Sequence, residues 1–228
     1  MSRTLNVVRM QLINRNTYIW IPLLVLAGAF VLSLAIYALI PGDGIKVGGG
    51  AQAPLWYFLV VGVQSLTLTF PFSQAMSVTR REFFLGTYLT AAITAGILSI
   101  VFVIGGLIEQ ATDGWGMNGW MFYSDEIWQG GPLAALAFYF LLAMTFFSVG
   151  FWSATIYKRF GAFWLTATLV AIGVILVVAM WLIGRTDSWG AVFAWFAGQT
   201  SLSLALWSIL VIAVLAGTSF IPLRRAVP

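Results

Sequence analysis

The chain has no cysteine and no histidine, and its 228 residues include only two lysines, Lys46 and Lys158. Without thiolate or imidazole there is no disulfide, no haem ligation, no Cys or His nucleophile–base pair and no metal site of the usual kinds. Neither lysine stands in the Gly-x4-Gly-Lys-Ser/Thr frame that lets backbone amides and an ammonium cradle phosphates. The Gly-rich stretch 42–50 has the composition of such a loop without its spacing. No enzyme activity and no nucleotide site are therefore expected in this chain, and no nucleic-acid partner.

Charge is also scarce, at 8% of residues, where soluble domains carry about 25%. What fills the chain instead is apolar: 61% hydrophobic residues, with 11 Trp and 18 Phe. A water-soluble globule has no way to hide that much apolar surface, so lipid is the expected solvent. A bilayer crossing takes about 20 apolar residues. Six runs qualify, at about 18–40, 55–76, 85–108, 132–156, 163–183 and 202–222. The expected fold is an all-α polytopic membrane protein, one transmembrane domain over 1–228. The first run exceeds the roughly 7–15 residues of a signal-peptide core and no small-x-small cleavage site follows, so it reads as a span.

The segments between the runs differ in character. Residues 1–17 carry Arg3, Arg9 and Arg15, and Leu5, Val8 and Leu12 share one helical face, which predicts an amphipathic helix on the membrane surface. Pro41–Pro54 is Gly-rich and reads as a flexible loop. Glu109–Gly131 holds Glu109, Asp113, Asp125 and Glu126 without a Lys or Arg. Its Trp115, Trp120 and Trp128 suit the headgroup level.

Charge placement sets the expected topology. With the N-terminus in the cytoplasm, the inner segments hold Arg3, Arg9, Arg15, Arg80, Arg81, Lys158, Arg159, Arg224 and Arg225, nine of the eleven basic residues. The outer loops hold Lys46 and Arg185 together with every acid except Glu82. That satisfies the positive-inside rule, with both termini cytoplasmic in the cell (plasma) membrane. No acid or base lies within the spans as drawn. An ionisable group at mid-bilayer costs about 2.5–3.5 kcal/mol on insertion scales and usually marks an ion path. Its absence argues against an ion-coupled carrier and against proteolysis by paired aspartates.

Two kinds of position stand out as candidate sites. Gln64, Ser65, Thr67 and Thr69 place polar groups inside the second run, where they either line a substrate path or bond to a neighbouring helix. Between the second and third runs lies Ser77–Gly86, reading Ser-Val-Thr-Arg-Arg-Glu-Phe-Phe-Leu-Gly. Thr79 and Glu82 have capping-box spacing, so a helix is expected to start there. Arg80, Arg81, Phe83 and Phe84 combine charge with aromatic area, a pairing suited to docking a partner. Lys158 and Arg159 form a second basic turn, a secondary cytoplasmic contact that orientation alone explains. Gly150 and Ala154, four apart, allow a close helix approach. Each basic turn precedes a Leu-Thr-Ala triplet, Leu89–Ala91 and Leu165–Ala167, a weak internal echo.

On these features the chain resembles the membrane subunit of an ATP-binding cassette (ABC) transporter of the type-2 exporter class. The resemblance covers the whole chain in architecture and is most specific at Ser77–Gly86. There, such permeases often read Gly-x-Thr/Ser-Arg-Arg/Lys-x-Phe, with Ser77 here replacing the glycine. It implies a short cytoplasmic coupling helix between spans 2 and 3, with Thr79, Arg80, Arg81, Glu82, Phe83 and Phe84 docking on a cytoplasmic ABC ATPase. ATP and magnesium would reside in that subunit, and this chain would hold no cofactor. It also implies a second permease chain, identical or homologous, and export of a hydrophobic or amphipathic substrate. A short re-entrant or interfacial segment between spans 5 and 6 is implied as well, for which Val192–Gln199 is available. The alternatives from other classes are a non-transporting membrane scaffold or sensor, or an ATP-independent carrier or channel.

Overall fold

A computed structural model describes residues 3–42 and 44–224. Asp43 and Arg225, counted above among the outer and inner charges, lie outside the described residues. Six helices are long and apolar enough to cross a bilayer: Asn16–Leu39, Gly49–Ala75, Arg80–Ala111, Gly131–Phe160, Ala162–Arg185 and Ser201–Leu223. They match the six apolar runs, and the chain is an all-α polytopic membrane protein.

Helix α1 (Arg3–Ile13) precedes the spans. Span 1 opens with a wide π turn, Asn16–Trp20, and continues as α2 (Ile21–Leu39); Pro22, just after the π turn, has no N–H to give a carbonyl of that turn. Span 2 is composite. It contains α3 (Ala53–Gln64), a π turn Ser65–Thr69 and α4 (Phe70–Ala75). Pro71 has no N–H to give the carbonyl of Thr67, and its ring crowds that turn. The widened turn falls where that crowding occurs.

Span 3 is α5 (Arg80–Ala111), a single helix of 32 residues. Among the described residues no separate helix lies between α4 and α5, and the residues expected to form a coupling helix are the first turn of α5. No helix breaker separates Glu82 from the apolar run, so the capped turn propagates directly into the span. Span 4 is α7 (Gly131–Phe160), preceded by the single turn α6 (Asp125–Trp128). Span 5 is α8 (Ala162–Arg185), and a nine-residue helix α9 (Trp189–Ala197) leads to span 6, α10 (Ser201–Leu223).

The bundle is organised around α7, which packs on α3, α5 and α10. In lipid, burying one more apolar side chain wins little hydrophobic energy, so close van der Waals packing decides which helices meet. Gly62 of α3 and Gly150 of α7 show this. A Cβ at Gly150 would lie 2.0 Å from the Leu59 carbonyl oxygen, and one at Gly62 would lie 2.3 Å from that of Phe147. The close approach runs through this glycine pair rather than through the Gly150–Ala154 stripe alone.

The amphipathic helix α1 does not merely lie on a membrane surface. Val7, Val8 and Gln11 are its buried side chains, while Leu5 of the expected Leu5–Val8–Leu12 face is exposed. Val7 fits over Gly86 of α5, where an added Cβ would approach its own Cβ to 2.6 Å.

Candidate functional site

The turn between α4 and α5 begins at the C-terminus of α4. Ser77 has φ 58°, the left-handed backbone that closes many helices and that glycine adopts without a Cβ penalty. Glycine would fit this position for that reason. The next helix starts with the expected capping box. Glu82 N donates to Thr79 Oγ1 at 3.3 Å, and Thr79 N donates to Glu82 Oε2 at 3.0 Å.

The two arginines of the turn do different things. Arg80 donates to the Arg224 carbonyl, and Arg159 donates to the Pro222 carbonyl at 3.5 Å. Both therefore reach the C-terminal end of α10, whose last carbonyls lack helical partners and carry partial negative charge. The Arg224 guanidinium lies 4.6 Å from the Phe220 ring centre. Arg80, Arg159 and Arg224, from three separate spans, thus gather at one end of the bundle and tie it together. Arg81 is exposed, and Lys158 is half-buried on the same last turn as Arg159.

The phenylalanines do not form the exposed aromatic face expected of a docking surface. Phe83 is fully buried, with its ring edge-on to Phe70 at 5.1 Å. Phe84 is half-buried and contacts Phe220 at 5.1 Å and Phe151 at 5.9 Å, which joins α5 to α10 and α7. The helix that starts at Thr79 turns both rings inward, because positions 83 and 84 fall on the face that continues to Thr87 and Ala91.

Gln11 was not legible as a functional residue, yet it connects three elements here. Its Nε2 donates to Thr87 Oγ1 at 2.8 Å and to Thr69 Oγ1 at 3.4 Å, tying α1 to spans 3 and 2. Its spacing of four from buried Val7 was the available signal. The polar residues of span 2 separate into two groups. Ser65, Thr67 and Thr69 donate to the carbonyls of Gly62, Val63 and Ser65 on their own helix, so their hydroxyls are engaged. Gln64, by contrast, is half-buried and makes no hydrogen bond among the described residues. It is the one candidate of the four with its polar group available.

The opposite end of the bundle carries a folded cap. Strand β1 (Lys46–Val47) pairs in parallel with β2 (Gly119–Trp120). The Gly-rich loop is packed rather than flexible here: a Cβ at Gly48 would strike Tyr37 Oη at 2.2 Å, and one at Gly50 would strike Ser33 Oγ at 2.7 Å. The Trp-rich loop likewise packs on the helices. Trp128 and Phe122 are buried against Gly106 and Gly105, which leave room for the rings.

Glu109 organises this cap. The third span was drawn to Ile108, but α5 runs on to Ala111, so Glu109 sits in its last turns, wholly buried. Its Oε1 accepts from Trp115 Nε1 and Met121 N, both at 2.9 Å, and its Oε2 from Phe122 N and Tyr123 N, both at 2.8 Å. Four donors satisfy the carboxylate without a cation. Helical spacing from Phe102 and Gly105 placed it on the buried face, a signal the charge count obscured. Trp115 itself has φ 62°, a left-handed conformation that costs a non-glycine residue about 1–2 kcal/mol. The Glu109 contact and a 3.1 Å bond from Trp115 N to Thr112 Oγ1 hold it there.

Among the described residues, no group of three or more Asp and Glu side chains is placed to hold a metal ion. Compared with known protein families, curated proteins and solved structures, the chain matches none.

Proposed function

We propose that this chain is the membrane permease subunit of an ABC transporter of the type-2 exporter class, driven by a separate cytoplasmic ATPase. The observation that carries the reading is the capped turn at Thr79–Glu82. It starts a single helix of 32 residues and stands where Arg80, Arg159 and Arg224 converge. A force applied at this turn acts on α5 along its length and, through Arg80 and Phe84, on α10 as well. In this reading the basic end is cytoplasmic, as the positive-inside rule requires. ATP shifts the equilibrium between two arrangements of the spans through its different affinity for them, by way of the ATPase.

The buried rings refine the docking surface. Arg81, Thr79 and the outward edge of Glu82 present it, while Phe83 and Phe84 pass the load into the bundle. Gln64 is the group in span 2 that faces either substrate or a second permease chain, since an amide left without partners in lipid is costly.

The test is affinity purification from cells expressing the native neighbouring genes, with the protein in mild detergent. The wild-type chain is expected to bring down a soluble ATPase in stoichiometric amount. Arg81→Glu is expected to lower its recovery about tenfold without changing the chain's own yield. Phe83→Ala is expected to lower yield and thermal stability together, because it opens a cavity. Recovery of the chain without any ATPase, with transport in vesicles lacking ATP, would replace this reading by a carrier. Recovery of only envelope proteins would replace it by a scaffold.

A further inference from the structure

Span 2 has two faces of different character. Phe58, Val61, Gly62 and Leu66 are buried, with Gly62 against α7. Trp56, Val60, Leu68 and Phe72 are exposed, and with half-buried Gln64 between them they form one stripe at four-residue steps. In a plain α-helix a four-residue step overshoots the 3.6-residue turn, so such a stripe drifts around the axis. The wider π turn Ser65–Thr69 takes up part of that drift. From Trp56 to Phe72 the stripe runs about 24 Å along the helix, most of a hydrocarbon core of roughly 30 Å. Gln64 stands at its centre. Away from the span ends it is the one carboxamide or charged side chain in the six spans, and it makes no hydrogen bond among the described residues. Thr67 beside it donates its hydroxyl to the Val63 carbonyl at 3.1 Å.

We infer that this stripe is the contact surface for a second copy of this chain, with the two Gln64 amides hydrogen-bonded to each other across a two-fold axis. The inference names one of the two partners that the proposed function leaves open for Gln64; it rests on that reading of the residue, not on the ATPase. A carboxamide brings both donors and an acceptor oxygen, and alkyl chains satisfy neither. Whatever covers Gln64 must supply a donor and an acceptor at one point of an otherwise apolar strip. Gln64 of an identical chain supplies both. Two copies insert the same way up, so their axis lies along the membrane normal and position 64 meets position 64, each Nε2 donating to the other Oε1. The flanking side chains then meet their own equivalents, apolar against apolar, with no charge set against itself. A path for an amphipathic substrate calls for polar groups repeated along the helix, and the stripe has one. α8 is still more exposed, but it carries no carboxamide or charge before Arg185, and so nothing that separates a protein partner from lipid.

The test is cysteine cross-linking of the full chain in membranes, where the absence of native cysteine gives a clean background. Val60→Cys and Leu68→Cys each place a thiol one turn from Gln64 at an exposed position. With a short bis-maleimide both are expected to give a band at twice the chain's mass, while Leu176→Cys on α8 is expected to stay monomeric. Adding Gln64→Leu to either stripe variant is expected to lower the cross-linked fraction about tenfold at low chain density. Adding Gln64→Asn, which keeps an amide, is expected to lower it less. Leucine suits a lipid-facing site, so the yield of Gln64→Leu chain is expected to hold and to separate lost pairing from lost folding. A cross-linked fraction unchanged by Gln64→Leu would overturn the amide pair. Cross-linking at Leu176→Cys alone, or at none of the three positions, would overturn the stripe as the contact, and a band joining the stripe to a different membrane chain would overturn the identical partner. The measurement needs no ATPase, so its failure leaves the coupling reading intact, and failure of that reading leaves the cross-link readable.

Discussion

Spans 3 and 5 are both strongly apolar, yet 50% of the most apolar window of span 3 is buried inside the protein and 0% of that of span 5. The difference lies in small and hydroxylated side chains at helical spacing. The buried face of α5 includes Gly86, Thr90, Thr94 and Ser99, whose hydroxyls bond back to their own helix and leave a smooth surface for a neighbour. Most of α8, by contrast, exposes large side chains such as Leu176 and Val177 on every side. The shared Leu-Thr-Ala triplet shows that local composition does not decide the matter. Thr90 and Ala91 are fully buried, while Thr166 is exposed. Hydropathy makes a helix a span. Whether that span faces protein or lipid depends on whether its surface can come close to another backbone.

Substitutions can break or sharpen this contrast. The largest effect is expected at the buried C-terminal end of span 3. Glu109→Ala strands four donors, each buried donor left unpaired costing roughly 1–3 kcal/mol, so a loss of about 4 kcal/mol or more is expected by thermal unfolding in detergent. Glu109→Gln should fall between wild type and Ala, because its amide nitrogen replaces one accepting oxygen while the other is kept. A loss for Glu109→Gln as large as that for Ala would mean that the negative charge, and not the donor count, holds the cap.

A pair of leucines tests the contrast directly. Leu98→Ala in α5 removes a buried side chain and is expected to cost about 3 kcal/mol. Leu176→Ala in α8, whose side chain meets lipid in the monomer, should change stability by less than about 0.5 kcal/mol. Equal effects would show that α8 packs against protein after all, in an assembly larger than one chain. Between these lies Gly150→Ala, expected to cost about 2 kcal/mol, since its added methyl meets backbone at Leu59 rather than a side chain able to turn away.

Much of the architecture was legible from the residues alone, for reasons that act locally. Six apolar runs became six helices within a few residues of the drawn ends, because length and hydropathy suffice to specify a crossing. The Thr79–Glu82 box formed because its partners are three residues apart. The errors arose wherever a side chain's environment is set by distant segments. Phe83 and Phe84 looked like a docking face because they adjoin two arginines, but Phe70, Phe151 and Phe220 cover them. Gly48 and Gly50 looked flexible because Tyr37 and Ser33, which press on them, lie on α2.

The sequence by itself determined that this protein lives in lipid, crosses it six times, and carries its basic and acidic segments in alternation. These are sums over contiguous residues, and each helix satisfies its own backbone in the bilayer whatever its neighbours do. Only the tertiary structure decided which helices touch, that Arg80 and Arg159 hold the end of α10, and that Glu109 is the buried centre of the cap at the opposite end. Those outcomes depend on how closely two backbones can approach and on donors brought from elsewhere in the chain, and neither is written at any one position.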